Sequence, residues 1–469
     1  MIVRRSGGKR FRQAVDMTQG SPARLIIAFA LPLFIGNLFQ QAYSVVDTMI
    51  AGYHLGDSAI AAIGATASLY ALLLTVAEGM NRGYAIIVTQ CFGARDRGRL
   101  RRSIAGMIEL NIVVTLFVTV LTLTFLRPFL RLMNTPESIF SQACGYMAVI
   151  SAGMIATIGY NMFSGILWSF GNSRTSLYFL ILSSILNTGL DVLFVAVLGL
   201  GVAGAAAATV MAQAVSALLC GAYVWKHYRD LLPRAEDFRV PEDLLRDLLA
   251  SGAAMALTLC VVDIGTVVFQ RATNMLGEMF IAAHTISRRI MGILMEPLST
   301  IAIAASTFVG QNWGAKKTER IRSAMGQVIG MEIAWGLFVC LMVYAAGDSM
   351  VRLITGTADE DMVRQAVMSL RWHFALMPAL GCLFALRMAL QAMGRRLVPV
   401  LSSFVELGMK VLSALWLIPQ LGFLGACVTE PITWVLMLML LLAVWLSIWR
   451  GQAVGPGSRG MDGAQGRNP

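Results

Sequence analysis

The chain has 469 residues and a formal net charge of +11 at pH 7. Hydrophobic residues make up 57% of it, charged residues only 13%, and the mean hydropathy is +0.70. This composition excludes a water-soluble globular protein and indicates a polytopic membrane protein. The basic residues lie in short clusters between apolar runs, so the charge excess indicates membrane topology rather than a nucleic-acid partner.

Runs of about 20 or more mainly apolar residues predict twelve transmembrane helices. The first run follows a basic tail and continues without a small-residue cleavage site, so it is predicted to be a retained span rather than a secretory signal. The predicted spans cover residues 25–48, 58–83, 103–126, 137–168, 175–198, 203–225, 247–271, 279–309, 322–346, 361–393, 397–419 and 427–448.

The distribution of Lys and Arg predicts the orientation of these spans. Most basic residues lie in the two tails and in every second loop. Because basic loops stay on the cytoplasmic side, both termini of this multi-pass plasma-membrane protein are predicted to be cytoplasmic. The alternate loops carry only Arg127, Arg131, Arg271, Arg352 and Arg364.

A repeat with an offset of 221 residues is the strongest architectural signal. Gln90, Gly93 and Ala94 recur as Gln311, Gly314 and Ala315, and the glycine pattern of residues 201–205 recurs in residues 422–426. Six spans per copy predict an all-α protein with two six-helix lobes, related by a pseudo-twofold axis along the membrane normal. The predicted parts are a basic cytoplasmic tail (1–24), an N-terminal lobe (25–225), a cytoplasmic linker (226–246), a C-terminal lobe (247–448) and a flexible cytoplasmic tail (449–469).

Two carboxylates inside predicted spans are the first candidates for function. Asp47 lies in the first long apolar run, and Asp191 follows Asn187 by four residues, so both side chains share one helix face. Charged groups in a bilayer are costly, and carboxyl groups buried close together can take up and release a proton near neutral pH. The alternative is that each acid only bonds helix backbone or a neighbouring hydroxyl.

Other charges inside the predicted spans are interpreted mainly as structural. Glu78 and Arg82 are four residues apart, as are Glu406 and Lys410, so each member can neutralise the other. Arg387 is a further predicted partner of Glu406. Asp263, at the start of the second copy, has no partner in sequence, and both a structural and a cation-binding role stay open for it.

Sequence motifs for catalysis do not occur in the chain. There is no P-loop, nucleophile elbow or HExxH motif, and the seven cysteines occur singly without a metal-ligand spacing. The chain is therefore predicted not to be an enzyme, and to hold neither a metal nor a cofactor.

The sequence resembles the multidrug and toxic compound extrusion (MATE) transporters over about residues 21–448. The resemblance rests on the duplicated twelve-span layout, the paired Q-x-x-G-A loops and three short elements: Val46-Asp47-Thr48 with the following AG and LG pairs, LNxxxD at 186–191, and the small-residue run Gly201–Thr209. It implies a secondary antiporter that exports amphipathic, often cationic, organic compounds in exchange for H⁺ or Na⁺. It further implies a coupling-ion and substrate cluster in the N-terminal lobe made of Asp47, Gln40, Asn187, Asp191 and Thr209, with Asn161 as a possible addition.

One departure from the family bears on the coupling ion. Some members carry a cation site in the C-terminal lobe built from acids on the seventh and tenth spans, whereas here the tenth span has no central acid and Asp263 is the only seventh-span candidate. This favours protons bound in the N-terminal lobe. The alternative function is a lipid-linked oligosaccharide flippase of related architecture. The expected partners are small organic molecules, the coupling ion and the lipid bilayer, and the expected functional unit is a monomer.

Overall fold

The computed structural model describes residues 14–356 and 359–453, and within these ranges the chain is helical and contains no strand. The all-α, multi-pass membrane architecture is confirmed. The helices are α1 (Pro22–Leu55), α2 (Asp57–Ala94), α3 (Arg97–Leu132), α4 (Glu137–Ala152), α5 (Met154–Ser169), α6 (Ser173–Asp191), α7 (Gly201–Tyr228), α8 (Glu242–Asn274), α9 (Glu278–Gly314), α10 (Thr318–Thr355), α11 (Glu360–Ala375), α12 (Met377–Ala392), α13 (Leu397–Leu412), α14 (Ile418–Leu421) and α15 (Phe423–Ala453). Helices α1–α7 form the N-terminal lobe and α8–α15 the C-terminal lobe.

Two of the twelve predicted spans are bent pairs of helices. Ten segments of the described chain are each long and apolar enough to cross a bilayer, and the pairs α4–α5 and α11–α12 complete the set of twelve. The first pair bends by 43° at Gly153 and the second by 50° at Leu376. The predicted spans 137–168 and 361–393 therefore each contain a break that apolar composition alone does not reveal.

The repeat is visible in an irregular element that both copies share. A π-helical turn, Val192–Val197, follows α6, and a second one, Ser413–Leu417, follows α13. Their first residues are 221 positions apart, which is the offset found in the sequence. Such turns are rare and often lie at functional sites. The acid Asp191 precedes only the first of them, because Leu412 holds that position in the second copy.

The two lobes meet through a reciprocal pair of glutamines. Gln90, near the end of α2, donates its Nε2 hydrogen to the carbonyl oxygen of Ala392 at 2.7 Å. Gln311, near the end of α9, donates in the same way to the carbonyl of Ser169 at 3.0 Å. Each copy thus binds the end of a bent span in the other, and below we call the region formed by residues 90–94 and 311–314 the closed end.

The described parts of the predicted linker and N-terminal tail contain helical turns or make contacts with the lobes. The linker contains two short 3₁₀ helices, Arg229–Leu231 and Ala235–Phe238, and the buried Asp237 forms an ion pair with Arg101 of α3 at 3.2 Å. Residues 14–18 of the predicted N-terminal tail contact both lobes. The remainder of that tail (1–13) and most of the C-terminal tail (454–469) lie outside the described residues, so the predicted flexibility of the C-terminal tail stays a prediction.

Candidate functional site

Asp191 and Asn187 form a buried polar site at the end of α6. Asp191 is 1% exposed and Asn187 is 3% exposed. Among the described residues, no donor forms a hydrogen bond to either carboxylate oxygen of the buried Asp191, and both amide atoms of Asn187 are buried without a hydrogen-bond partner. Because an unsatisfied polar group costs several kcal/mol in an apolar medium, on the order of 2–7 kcal/mol, this cluster is suited to bind something from outside the fold.

Asp47 of α1 faces Asp191. The two carboxyl groups interact directly, and Tyr43, Tyr70 and Tyr146 lie within electrostatic range of Asp47. Ionised carboxylates are acceptors only, so this contact becomes a hydrogen bond when one of the two carries a proton. The predicted pair is therefore present in space, on two helices that are far apart in sequence. The side chain of Thr48, from the same motif, lies outside the described part of the chain.

Gln40 and Asn161 line a separate, partly open cavity of about 180 Å³ in the N-terminal lobe. Glu78 and Arg82 form the predicted ion pair within α2, and both also line this cavity. Asn37 of α1 lies at the same cavity and donates a hydrogen bond to Glu296 of α9, in the other lobe. Arg82 offsets the charge of Glu78 at the cavity, so Glu296 of the other lobe adds one negative charge beside it.

Thr209 forms a hydrogen bond within its own helix, whereas Asp263 forms one with a helix of the other lobe. The hydroxyl of Thr209 donates to the carbonyl of Ala205, one turn earlier in α7, at 3.2 Å. Asp263 is exposed and accepts a hydrogen bond of 2.8 Å from Thr75, so it joins α8 to α2.

The C-terminal lobe holds a buried ion-pair cluster that the sequence reasoning missed. Glu430 of α15 is 6% exposed and accepts a hydrogen bond of 2.7 Å from Arg288 of α9. Its second oxygen lies 3.4 Å from Nε2 of His373, whose Nδ1 lies 2.7 Å from the carbonyl of Ser369. A carbonyl can only accept, so Nδ1 carries a proton and Nε2 is the atom that faces the carboxylate. The repeat could have revealed this acid, because the offset of 221 places Glu430 where the first copy has Thr209.

Glu406 and Lys410, the second ion pair predicted from sequence, take part in a series of polar contacts with neighbouring helices. Lys410 donates to Glu406 at 2.9 Å and to Thr266 at 3.0 Å. Arg387 lies 4.0 Å from Glu406 and is held by the hydroxyl groups of Ser402 and Ser403. These contacts join α8, α12 and α13 inside the C-terminal lobe.

We expect Glu430→Gln to destabilise the protein strongly, because it leaves Arg288 and His373 without their carboxylate. Breaking a buried ion pair costs about 3–5 kcal/mol, and the partial exposure of Arg288 places this variant at the lower end. The matched control is Glu360→Gln, which removes the carboxylate of the exposed Arg352 pair at the same 2.7 Å separation and should cost less than about 1 kcal/mol. Thermal unfolding in lipid nanodiscs measures both. Equal losses would contradict the argument from burial.

Both copies of the repeat match one known protein family. The MatE family model matches residues 32–193 and again 254–416, once in each copy. A probable multidrug resistance protein, YpnP of Bacillus subtilis, is 27% identical over 82% of this chain and 86% of its own length. The probable multidrug resistance protein NorM of Thermotoga maritima is 23% identical over 86% of this chain and 87% of its own.

Solved structures share the fold. A multidrug resistance MATE family transporter of the MOP superfamily, solved in an outward-facing conformation, superposes with a TM-score of 0.86 and 21% identity over 95% of this chain and 100% of its own. A MOP superfamily transporter from Pyrococcus furiosus gives a TM-score of 0.84 at 21% identity, over 94% of this chain and 99% of its own.

Proposed function

The chain belongs to the MatE family, and from this premise we propose that it is a secondary active antiporter for amphipathic, cationic organic compounds. It exports them across the plasma membrane in exchange for protons, as a monomer that needs no cofactor and catalyses no covalent step. The relatives named as multidrug resistance proteins support the cargo class. The observation that carries the proposal is the contact of the half-buried Asp47 with the buried Asp191, beside the unpartnered Asn187.

The acid pair supports the proton as the coupling ion. Two facing carboxylates repel each other, and a single proton converts this repulsion into a hydrogen bond. Asp191 has no basic partner within hydrogen-bond reach among the described residues, so a bound cation is needed to neutralise it. Proton binding and release at this pair would then change the charge of the N-terminal lobe by one unit per cycle.

The cavity beside Gln40 supports the binding of a cationic substrate in the N-terminal lobe. Two acids, Glu78 and Glu296, lie beside the cavity against one base, Arg82. The apolar side chains of Leu33, Leu74 and Leu177 line its walls. Such a site attracts a positive charge and accommodates an apolar body. Since α1 carries Asp47, Asn37 and Gln40, movement of this helix would link the proton site to the substrate cavity.

Alternating access follows from the two-lobe architecture. We propose that the closed end faces the cytoplasm, as the basic loops predict, and that the lobes rock to open it in the other half of the cycle. Coupling requires that proton and substrate have different affinities for the two states. The chain would then pass between a state closed toward the cytoplasm and one open toward it.

The test is uptake of a fluorescent organic cation into inverted membrane vesicles, driven separately by an imposed pH gradient and an imposed Na⁺ gradient. Uptake driven by the pH gradient alone is the expected result. Uptake driven only by Na⁺ would contradict proton coupling, and no uptake with any of several cations would contradict the cargo class and direct the search to lipid-linked molecules. A protease site fused after Pro469 should be cut in the same inverted vesicles and protected in intact cells.

A further inference from the structure

The four residues Val15–Thr18, which precede α1, lie across the closed end and bind the N-terminal lobe at one side. The backbone N–H of Val15 donates to the carbonyl of Phe170 at 2.9 Å. The carboxylate of Asp16 forms an ion pair with Arg95, at the end of α2, at 2.9 Å. These two contacts fix the first half of the segment to α2 and to the loop after α5.

The second half of the segment binds the C-terminal lobe. The backbone N–H of Met17 donates to Oε1 of Gln311 at 2.8 Å, and its carbonyl accepts from Asn312 at 3.1 Å. Lys317 donates to the carbonyl of Thr18 at 2.8 Å. The side chain of Met17 is 1% exposed and belongs to the hydrophobic cluster that contains Phe308 of α9.

Gln311 therefore has two roles at the closed end. Its Nε2 reaches across to Ser169 of the N-terminal lobe, while its Oε1 accepts from Met17. Both polar ends of the amide are satisfied only when the lobes are together and residues 15–18 are in place. The segment and the lobe contact thus stabilise each other, because losing either leaves part of a buried amide without its partner.

We propose that residues 15–18 form a strap that locks the closed end, and that Met17 must leave the C-terminal lobe before this end can open. The strap ties the start of α1, an N-terminal-lobe helix, to α9 and α10 of the other lobe. This proposal rests on the alternating-access function proposed above. The stability of the docked strap would set how often the closed end opens.

The ion pair of Asp16 supports a strap that stays docked over the physiological pH range. Partial burial disfavours ionisation of Asp16, but the hydrogen bonds from Thr18 and the guanidinium of Arg95 outweigh it, so the pKa of Asp16 lies below its ordinary value. A lowered pKa keeps the carboxylate charged, and its contribution is lost only as pH falls through that lowered pKa. Release of the strap is therefore driven by lobe motion rather than by titration of Asp16 near neutral pH.

Single-molecule fluorescence energy transfer tests the strap. Dyes are attached through unnatural amino acids at Arg102 and Ser323, exposed positions 221 residues apart in the second turns of α3 and α10. In nanodiscs, Met17→Ala should increase the population with separated dyes by roughly tenfold or more, because it removes most of a buried anchor. Met17→Leu, which conserves volume, and Gln19→Ala, at an exposed neighbour, should leave the distribution unchanged.

Unchanged distances in Met17→Ala would overturn the proposal, as would a lowered unfolding temperature without any increase in separation, because Met17 would then be only a core residue. If Met17→Ala does not fold, Asp16→Asn provides the same readout and should shift the distances in the same direction by a smaller amount. The measurement does not depend on transport. A change in distance without proton-driven uptake in vesicles would support the strap and reject the proposed function.

Discussion

Replacing Asp191 with Asn should reduce uptake driven by a pH gradient by more than about tenfold, which corresponds to losing roughly 1.4 kcal/mol of coupling. Asparagine has nearly the same shape as the protonated acid but cannot release a proton. Because Asp191 is 1% exposed and faces Asp47, the variant is fixed in a state that resembles the proton-loaded pair. Transport would stop because the site no longer alternates between two charge states.

Equilibrium binding of the substrate separates this loss of coupling from misfolding. We expect the Asp191→Asn protein to bind the fluorescent cation still, but with an affinity that no longer changes with pH. Asp47→Asn should behave alike, because the two carboxyl groups act as one site. Asp348→Asn is the control, since it alters an exposed acid of α10 outside the pair and should transport normally. Proton-driven uptake at wild-type rate in Asp191→Asn would rule out this acid pair as the coupling site.

The architecture was predictable from the sequence because its signals are local or periodic. Apolar runs gave twelve spans, and the recurrence of Gln90 and Gly93 as Gln311 and Gly314 gave two copies. The bends at Gly153 and Leu376 were not predicted, because a broken span and a straight one share the same composition. The face shared by Asn187 and Asp191 followed from the spacing of four residues, and the helix geometry bears it out.

Contacts between helices that are distant in sequence could not be predicted in this way. Glu296 and its partner Asn37 lie 259 residues apart on different lobes, so no helical spacing relates them. Glu430 was overlooked because its partners Arg288 and His373 lie on other helices, and no spacing rule relates them. Helical periodicity says which side chains share a face, whereas these pairings depend on how faces of different helices meet. The roles predicted for Gln40, Asn161, Thr209 and Asp263 stay predictions.

We expect Gly93→Ala to force the closed end apart. A methyl group at Gly93 would lie 1.9 Å from the carbonyl oxygen of Gln311, and one at Gly314 would lie 1.9 Å from that of Gln90. Because these obstacles are backbone atoms, no side-chain rotation relieves the clash, so the ends of α2 and α9 must separate. Overpacking of this kind costs about 1–3 kcal/mol, which would raise the open population by roughly 5- to 150-fold. Hydrogen exchange of residues 86–95 and 308–317 should rise accordingly.

Because the contacts of Gly93 and Gly314 are reciprocal, the double variant with alanine at both positions is a stricter test. Once Gly93→Ala has separated the two helix ends, the space for a methyl group at Gly314 already exists, so the second substitution should add little. The hydrogen exchange of the double variant is therefore expected to be close to that of Gly93→Ala alone, and well below the sum of the two single effects. Gly330→Ala is the control, because a methyl group there meets no atom within 4 Å in the middle of α10. Additive effects would mean that the two glycines act at independent contacts, whereas unchanged exchange in Gly93→Ala would mean that this end is not closed by them.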